Sequence, residues 1–180
     1  MYVGAFRGDS SYDLLLLLHI LTAIVGFGAV FLNGIYGTQA KSRQGPEGLA
    51  IAQANFLVAR IAEYFIYAVL VTGVLLVLFS DGVWGFGDKF VWGALVLYTI
   101  GLGVSHGVLQ PNVRRMNSLM EQLVHMGAPP TGSTESPPPA GSLPPQVEEL
   151  QERGKRVGLA GAFLNVDLVL ILALMVWKPL

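Results

Sequence analysis

The sequence predicts an all-α membrane protein, a left-handed antiparallel bundle of four transmembrane helices that forms a single membrane domain over residues 1–180. An amphipathic cytoplasmic helix and a proline-rich loop are predicted between the third and fourth spans. Of the 180 residues, 53% are hydrophobic and only 13% are charged, which is about half the charge of a soluble domain. The charges also cluster between long apolar runs, as in a chain that crosses a bilayer several times.

Four stretches qualify as spans, because about 20 apolar residues cross the hydrocarbon core as a helix. They are residues 12–36, 56–79, 90–110 and 157–177. Pro111 is predicted to end the third span, since proline cannot continue the helical hydrogen bonding. The first span is not expected to be a cleavable signal: Arg7 is outweighed by Asp9 and Asp13, and a signal needs a positive start and a shorter apolar run.

The distribution of Lys and Arg predicts the orientation of the bundle. The segments that follow spans one and three hold seven of them: Lys41, Arg43, Arg114, Arg115, Arg153, Lys155 and Arg156. We call this side the Arg-rich end. The opposite side, the Trp-rich end, has three (Arg7, Lys89 and Lys178), together with Tyr12 and all three tryptophans: Trp84, Trp92 and Trp177. Because cytoplasmic segments are enriched in Lys and Arg, both termini are predicted to lie outside the cytoplasm.

The long connection between spans three and four has two parts. Residues 112–126 carry apolar side chains three or four apart, with Arg114, Arg115 and Glu121 opposite, which predicts an amphipathic helix. Three positions are open for this helix: it lies on the inner leaflet, it extends span three, or it docks a partner. Residues 127–145 are rich in proline and predict a flexible linker. Residues 146–156 are predicted to begin the helix of span four.

Polar and small residues recur at steps of three and four in the first three spans. The stripes are His19, Ala23, Gly26, Val30, Asn33 and Gly37; then Arg60, Glu63, Tyr67, Leu70 and Val74; then Trp92, Val96, Thr99, Gly103, His106 and Gln110. A spacing of about 3.5 residues is the contact pattern of left-handed bundles. Each stripe is therefore predicted to face inward.

A polar cluster is predicted in the cytoplasmic half of the bundle, because an ionisable side chain that faces lipid costs roughly 2.5–3.5 kcal/mol. Its members are Asn33, Arg60, Glu63, Tyr64, His106 and Gln110. Arg60 and Glu63 are three residues apart and can form a pair. The cluster either fixes helix register or lines a cavity, open to the cytoplasm, for a small anion, metal ion or proton. Asp167, near the middle of span four, must find a partner in the bundle, reach a water-filled cavity, be protonated or contact another subunit.

His19 is the candidate cofactor ligand, for haem b. The alternative is that His19 forms a hydrogen bond with a neighbouring hydroxyl or carbonyl group and binds no cofactor. His19 is predicted to lie about 9 Å below the outer boundary and His106 about 25 Å below it. Two ligands of one iron lie roughly 4 Å apart, so these two histidines are not expected to share a haem. The chain has no cysteine, which excludes thiolate metal sites. No metal site, catalytic motif or nucleic-acid partner is predicted.

Two stretches, LHILTAIVGFGAVF in span one and HGVLQPNVRRM at the end of span three, resemble a loose group of bacterial membrane proteins. The group includes the copper-resistance D family, the HemJ-type protoporphyrinogen oxidases and an uncharacterised family of predicted integral membrane proteins, and the similarity is closest to the last. It implies a bacterial plasma (inner) membrane and, from the HemJ-type enzymes, an intramembrane haem ligand at His19. Those enzymes also use a lysine, which no span of this chain contains. The methionines available for a copper site, Met116, Met120 and Met126, lie away from His19.

Three functional classes follow from these observations. The absence of catalytic motifs, the small size and the outlying Asp167 favour a non-catalytic accessory or assembly subunit of a larger membrane complex. His19 and the resemblance favour a haem- or metal-binding membrane protein. A small proton or solute carrier is the third class, which four helices could support only as an oligomer. The expected partners are the lipid bilayer and either other membrane subunits or further copies of the chain.

Overall fold

The regular structure of the chain is helical throughout the described residues, which in this computed structural model are 10–43, 45–126 and 145–178. The helices are α1 (Ser10–Ser42), α2 (Gly45–Leu78), α3 (Lys89–Val104), α4 (Gln110–His125) and α5 (Pro145–Trp177), and a π-helical turn (Ser105–Leu109) joins α3 to α4. Four helical segments are long and apolar enough to cross a membrane, namely α1, α2, the joined α3 and α4, and α5. The predicted fold class is confirmed. The linker predicted over 127–145 lies outside the described residues except for Pro145, which begins α5.

Pro111 does not end the third helix, contrary to the prediction. The helix continues from Lys89 to His125, with Pro111 in the first turn of α4. In a straight α-helix the proline ring would collide with the carbonyl of the residue four positions earlier, Gly107. The π turn widens the helix at this point, and the amide of Gln110 donates to the carbonyl of Ser105 five residues back. The amphipathic segment therefore extends span three.

α1 and α2 form a closely packed hairpin. Gly26 is buried in it, and a Cβ atom added there would lie 3.2 Å from the backbone nitrogen of Ile66. Small residues let two membrane helices approach in this way. The members of the polar stripe of span one are all buried or half-buried, so its predicted inward direction is confirmed.

α3 packs against α5 around Ala94, Tyr98 and Ile171. α2 stands further from α3, since no Cα atom of α2 lies within 8 Å of a Cα atom of α3 in the described part of the chain. Side chains span the gap: Ile66 and Leu70 reach the α3 core, and the Tyr98 hydroxyl donates to the Ile66 carbonyl at 2.6 Å. We call this gap the α2–α3 cleft.

The inward direction predicted for the stripe of span three is wrong. Most of its members lie on the exposed side of α3, namely Trp92, Thr99, Gly103 and His106. The buried side carries Phe90, Val91, Ala94, Tyr98 and Gly101. Small and polar residues also face outward where a membrane helix has a further neighbour to meet, so their spacing does not reveal which side faces the bundle.

At the Arg-rich end, α4 packs against the first half of α5. Leu119 of α4, which also packs against α2, is only 1% exposed. Glu149 of α5 accepts hydrogen bonds from Arg115 of α4 at 3.0 Å and from Arg153 at 2.9 Å. Arg153 also donates to the amide oxygen of Asn112 at 2.8 Å. The two helices are therefore joined by a polar network beside an apolar contact.

At the Trp-rich end, the loop after α2 is fastened to the end of α5. The Lys178 ammonium lies 4.4 Å from the centroid of the Trp84 ring, and that ring meets Phe90 edge-on at 5.1 Å. Ser80 is fully buried and bonds to both the amide and the carbonyl of Trp84. The spans are thus tied together at both ends.

Candidate functional site

Three polar side chains meet at the α2–α3 cleft: Glu63 and Tyr67 of α2 and His106 of the π turn. The Tyr67 hydroxyl lies 2.7 Å from the Oε1 atom of Glu63 and 2.7 Å from the Nε2 atom of His106. That nitrogen lies 2.8 Å from the same carboxylate oxygen. We call these three residues the triad.

The geometry of the triad is suited to holding a proton. The Nδ1 atom of His106 lies 3.0 Å from the Leu102 carbonyl, which can only accept, so Nδ1 carries a hydrogen. The Tyr67 hydroxyl has one hydrogen and donates it to Glu63. The contact between Nε2 and Oε1 therefore needs a further proton on one of those two atoms. The pair fits an imidazolium beside a carboxylate, or an imidazole beside a carboxylic acid.

The π turn presents His106 to α2. Such turns are rare and occur frequently at functional sites. Here the turn includes His106 and ends two residues before Pro111. The proline that disturbs the helix is therefore linked through the π turn to the position of the histidine.

The predicted polar cluster is assembled only in part. Glu63 and His106 meet as described, and Gln110 lies near the Glu63 carboxylate. The pairing of Arg60 with Glu63 is wrong: the carboxylate is engaged by the triad, and within the described ranges Arg60 is exposed and forms no ion pair. Tyr64 is 71% exposed and lies outside the cluster. The sequence reasoning did not assign Tyr67 to this cluster, although it follows Glu63 by four residues on the same helix face.

Asn33 forms no hydrogen bond with the triad within the described residues. It belongs to α1, and no Cα atom of α1 lies within 8 Å of one in α3 in the described part. Its side-chain oxygen is buried and accepts no hydrogen bond from the described residues.

His19 is part of the packing between α1 and α2. Its Nδ1 atom lies 2.9 Å from the Thr72 hydroxyl, which itself donates to the Ala68 carbonyl at 2.7 Å. His19 therefore donates to Thr72. A Cβ atom on Gly73 would lie 3.1 Å from the Cε1 atom of the ring, so the glycine provides the space that the imidazole occupies.

His19 and His106 do not share a site. They contact α2 at Thr72 and Tyr67, which are five residues or about 7.5 Å apart along the helix, and they approach it from different helices. In the described ranges no group of three or more His, Asp or Glu side chains gathers that could hold a metal ion.

Asp167 faces the interior of the chain, and among the four alternatives predicted for it this position favours those inside the bundle over contact with another subunit. Its side chain lies against α3, where a Cβ atom on Gly101 would be 2.6 Å from its Oδ2 atom. The residue is 5% exposed, and Oδ1 accepts no hydrogen bond from the described residues. Asp167 therefore gives no reason to place a second subunit at α5. It also lies on the α5 side of α3, away from the triad.

The side of α3 next to the triad is open. The His106 side chain is 43% exposed and that of Glu63 is 26% exposed. Gly103 and Gly107 have no atom within 4 Å of an added Cβ, and Thr99 lies on the same exposed side. We call Thr99, Gly103, His106 and Gly107 the exposed α3 face.

The comparisons with known proteins give a family and nothing more specific. No curated protein and no solved structure is detectably similar to the chain. The sequence model of one family matches residues 13–134, which include the first three spans and α4. The chain therefore belongs to the DUF2269 family of predicted integral membrane proteins.

Proposed function

We propose that this integral membrane protein is a non-catalytic accessory subunit that binds other membrane subunits through the exposed α3 face. The single observation that carries the proposal is the position of His106, which belongs to a hydrogen-bonded ionisable triad and yet is 43% exposed on the side of the bundle.

The depth of the triad makes its exposure significant. Glu63 lies seven residues into the span predicted over 56–79, which is about 10 Å at 1.5 Å per residue. The hydrocarbon core is about 30 Å thick, so the triad lies within it. Ionisable residues at this depth almost always face other protein or a water-filled cavity. A neighbouring subunit over the cleft would shield the triad from lipid.

The small residues of the exposed α3 face support the same proposal. Thr99, Gly103 and Gly107 are spaced by four residues, the small-xxx-small spacing that lets helices approach closely in a bilayer. Gly26 acts in this way inside the chain. Gly103 and Gly107 have no such neighbour within the described residues.

The proposed setting is the bacterial inner membrane, with the Arg-rich end in the cytoplasm and both termini outside. The excess of Lys and Arg at that end supports this orientation. The triad then lies in the cytoplasmic half of the bilayer.

The test is native electrophoresis of the full chain, extracted from its own membranes in mild detergent. Gly103→Leu adds a bulky side chain to the exposed α3 face, and Gly28→Leu is the matched control on α1, where an added Cβ is equally free of neighbours. We expect the wild-type chain and Gly28→Leu to migrate in a complex with other chains and Gly103→Leu to migrate alone.

Two outcomes contradict the proposal. One is a wild-type chain that migrates as a monomer directly after extraction. The other is a complex that holds only copies of this chain, which two differently tagged copies would reveal. In the second case the exposed α3 face forms a homo-oligomer and the accessory role is wrong.

A proton carrier is the second candidate function, and the shared proton position of the triad favours it. Four helices leave little room for a path within one copy, so the carrier would act as an oligomer. Liposomes that contain the purified chain would take up protons, and Glu63→Gln would abolish the uptake because it removes the acidic member of the triad.

Haem binding by His19 is the third candidate. The hydrogen bond from Nδ1 to Thr72 supports it, because a fixed Nδ1 orients the Nε2 atom of a ligand histidine. The absorption spectrum of the purified chain tests this candidate. A Soret band that is lost in His19→Ala supports it, and a colourless protein from haem-replete cells rejects it.

A further inference from the structure

Asp167 is a buried carboxyl group that none of the proposed functions uses. It lies near the middle of the last span, with its Oδ2 atom in the space left by the missing side chain of Gly101. The residue is 5% exposed, and its Oδ1 atom is fully buried. A carboxylate is stable in such a place only when a cation or hydrogen-bond donors surround it.

No such partner reaches Asp167 in the described part of the chain. Oδ1 is buried without a hydrogen bond, and Asp167 forms no ion pair there. On α3, the titratable group one turn from Gly101 is Tyr98, whose hydroxyl is donated to the Ile66 carbonyl. On the π turn, which also packs against α5, His106 directs its two nitrogens to Leu102 and Glu63.

We infer that Asp167 is a proton-binding site, which holds a neutral carboxylic acid in the gap at Gly101 between α3 and α5. The bound proton takes the place of the missing cation. A neutral acid can lie against the glycine backbone, whereas an ionised one would be left without a counter-charge inside the bilayer.

An apolar groove lies on the surface of α3 and α5 near this site. It has a volume of about 390 Å³ and is lined by Leu97, Leu170, Ala173, Leu174 and Trp177. Leu170 follows Asp167 by three residues, and Leu97 precedes Gly101 by four. Two of the groove's lining residues therefore lie about one helical turn from Asp167 and Gly101, which is why a small hydrophobic reagent is a suitable probe.

The main test is the infrared spectrum of the full chain in lipid at neutral pH. A carboxylic acid has a carbonyl band that a carboxylate lacks. We expect this band in the wild-type protein and its loss in Asp167→Asn. Glu63→Gln is the matched control, because Glu63, like Asp167, is an acid away from the ends of its span. We expect the Asp167 band to remain in this variant. If Asp167→Asn does not fold, wild-type protein made with ¹³C-aspartate replaces it. The isotope shifts the carbonyl band when the band belongs to an aspartic acid.

Labelling with dicyclohexylcarbodiimide is the second test. The acid O–H adds across one C=N bond, so that the carboxyl oxygen binds the central carbon and the proton moves to nitrogen. The O-acylisourea then rearranges to an N-acylurea, and no group leaves. We expect one reagent molecule on the peptide that contains Asp167, less at alkaline pH and none in Asp167→Asn.

The two tests together decide the proposal. An infrared band without labelling supports the proton site and shows that the reagent cannot reach it. The proposal is overturned if the band is absent at neutral pH, or if neither ¹³C-aspartate nor Asp167→Asn alters it.

Discussion

At two positions a glycine makes room for a polar side chain of the neighbouring helix. Gly73 of α2 faces the ring of His19, and Gly101 of α3 faces the carboxyl group of Asp167. Alanine normally stabilises a helix by about 1 kcal/mol relative to glycine. These two glycines therefore have a packing role that offsets their low helix propensity.

Gly73→Ala tests this role at His19. The new methyl group would lie 3.1 Å from the ring, so the imidazole must shift and its hydrogen bond to Thr72 weakens, at a cost of about 0.5–1.5 kcal/mol. Gly34→Ala is the control, since nothing lies near its added Cβ. We expect Gly34→Ala to raise the thermal midpoint in detergent and Gly73→Ala to leave it unchanged or lower it. An equal rise in both variants would show that the His19 contact is loose.

At the scale of helices, the α4–α5 contact depends on charge as well as on apolar burial. The hydrogen bonds from Arg115 and Arg153 lower the pKa of Glu149 to about 2. Glu149 precedes the apolar part of α5, within the charged residues 146–156, and so lies outside the bilayer. Because its pKa is lowered by folding, its ionised form stabilises the contact above the ordinary carboxyl range, and this stabilisation is lost as the pH falls from about 4.5 toward 2.

Glu149→Gln is expected to remove this pH dependence and to weaken the contact at neutral pH. The measurement is amide hydrogen exchange in α4, followed at neutral and at acidic pH. Glu152→Gln is the control, since Glu152 is mostly exposed and pairs with Arg156 one turn away, and such exposed pairs contribute little. If α4 is protected equally in both variants at neutral pH, apolar packing alone holds the contact and the role of Glu149 is refuted.

At the scale of the whole molecule, the four spans were predictable from the sequence. Apolar runs of this length are typical of helices that cross a membrane and not of helices in soluble proteins. The side of α3 that faces the bundle was not predictable. Lipid and the interior of the bundle are both apolar, so hydrophobic periodicity does not distinguish them. The prediction that Pro111 ends the third helix followed from the chemistry of proline and was wrong. The π turn that accommodates this proline has no comparable signal in the sequence. The position of Asp167 against Gly101 was not predictable either, because it depends on how α3 is rotated relative to α5.

The orientation of the bundle is the remaining large-scale prediction, and it decides which compartment the triad is nearer to. Four spans place both described ends of the bundle on one side, and the excess of Lys and Arg predicts that the other side faces the cytoplasm. The chain has no cysteine, so single introduced cysteines report without background. Phe86→Cys lies in the loop between α2 and α3, and Glu152→Cys lies at the Arg-rich end. The reagent is a membrane-impermeant maleimide, applied to intact cells whose outer membrane, where one is present, has been made leaky. We expect it to label Phe86→Cys in these cells and to label Glu152→Cys only after the inner membrane is opened. The reverse pattern would place the Arg-rich end outside and the triad in the outer half of the bilayer.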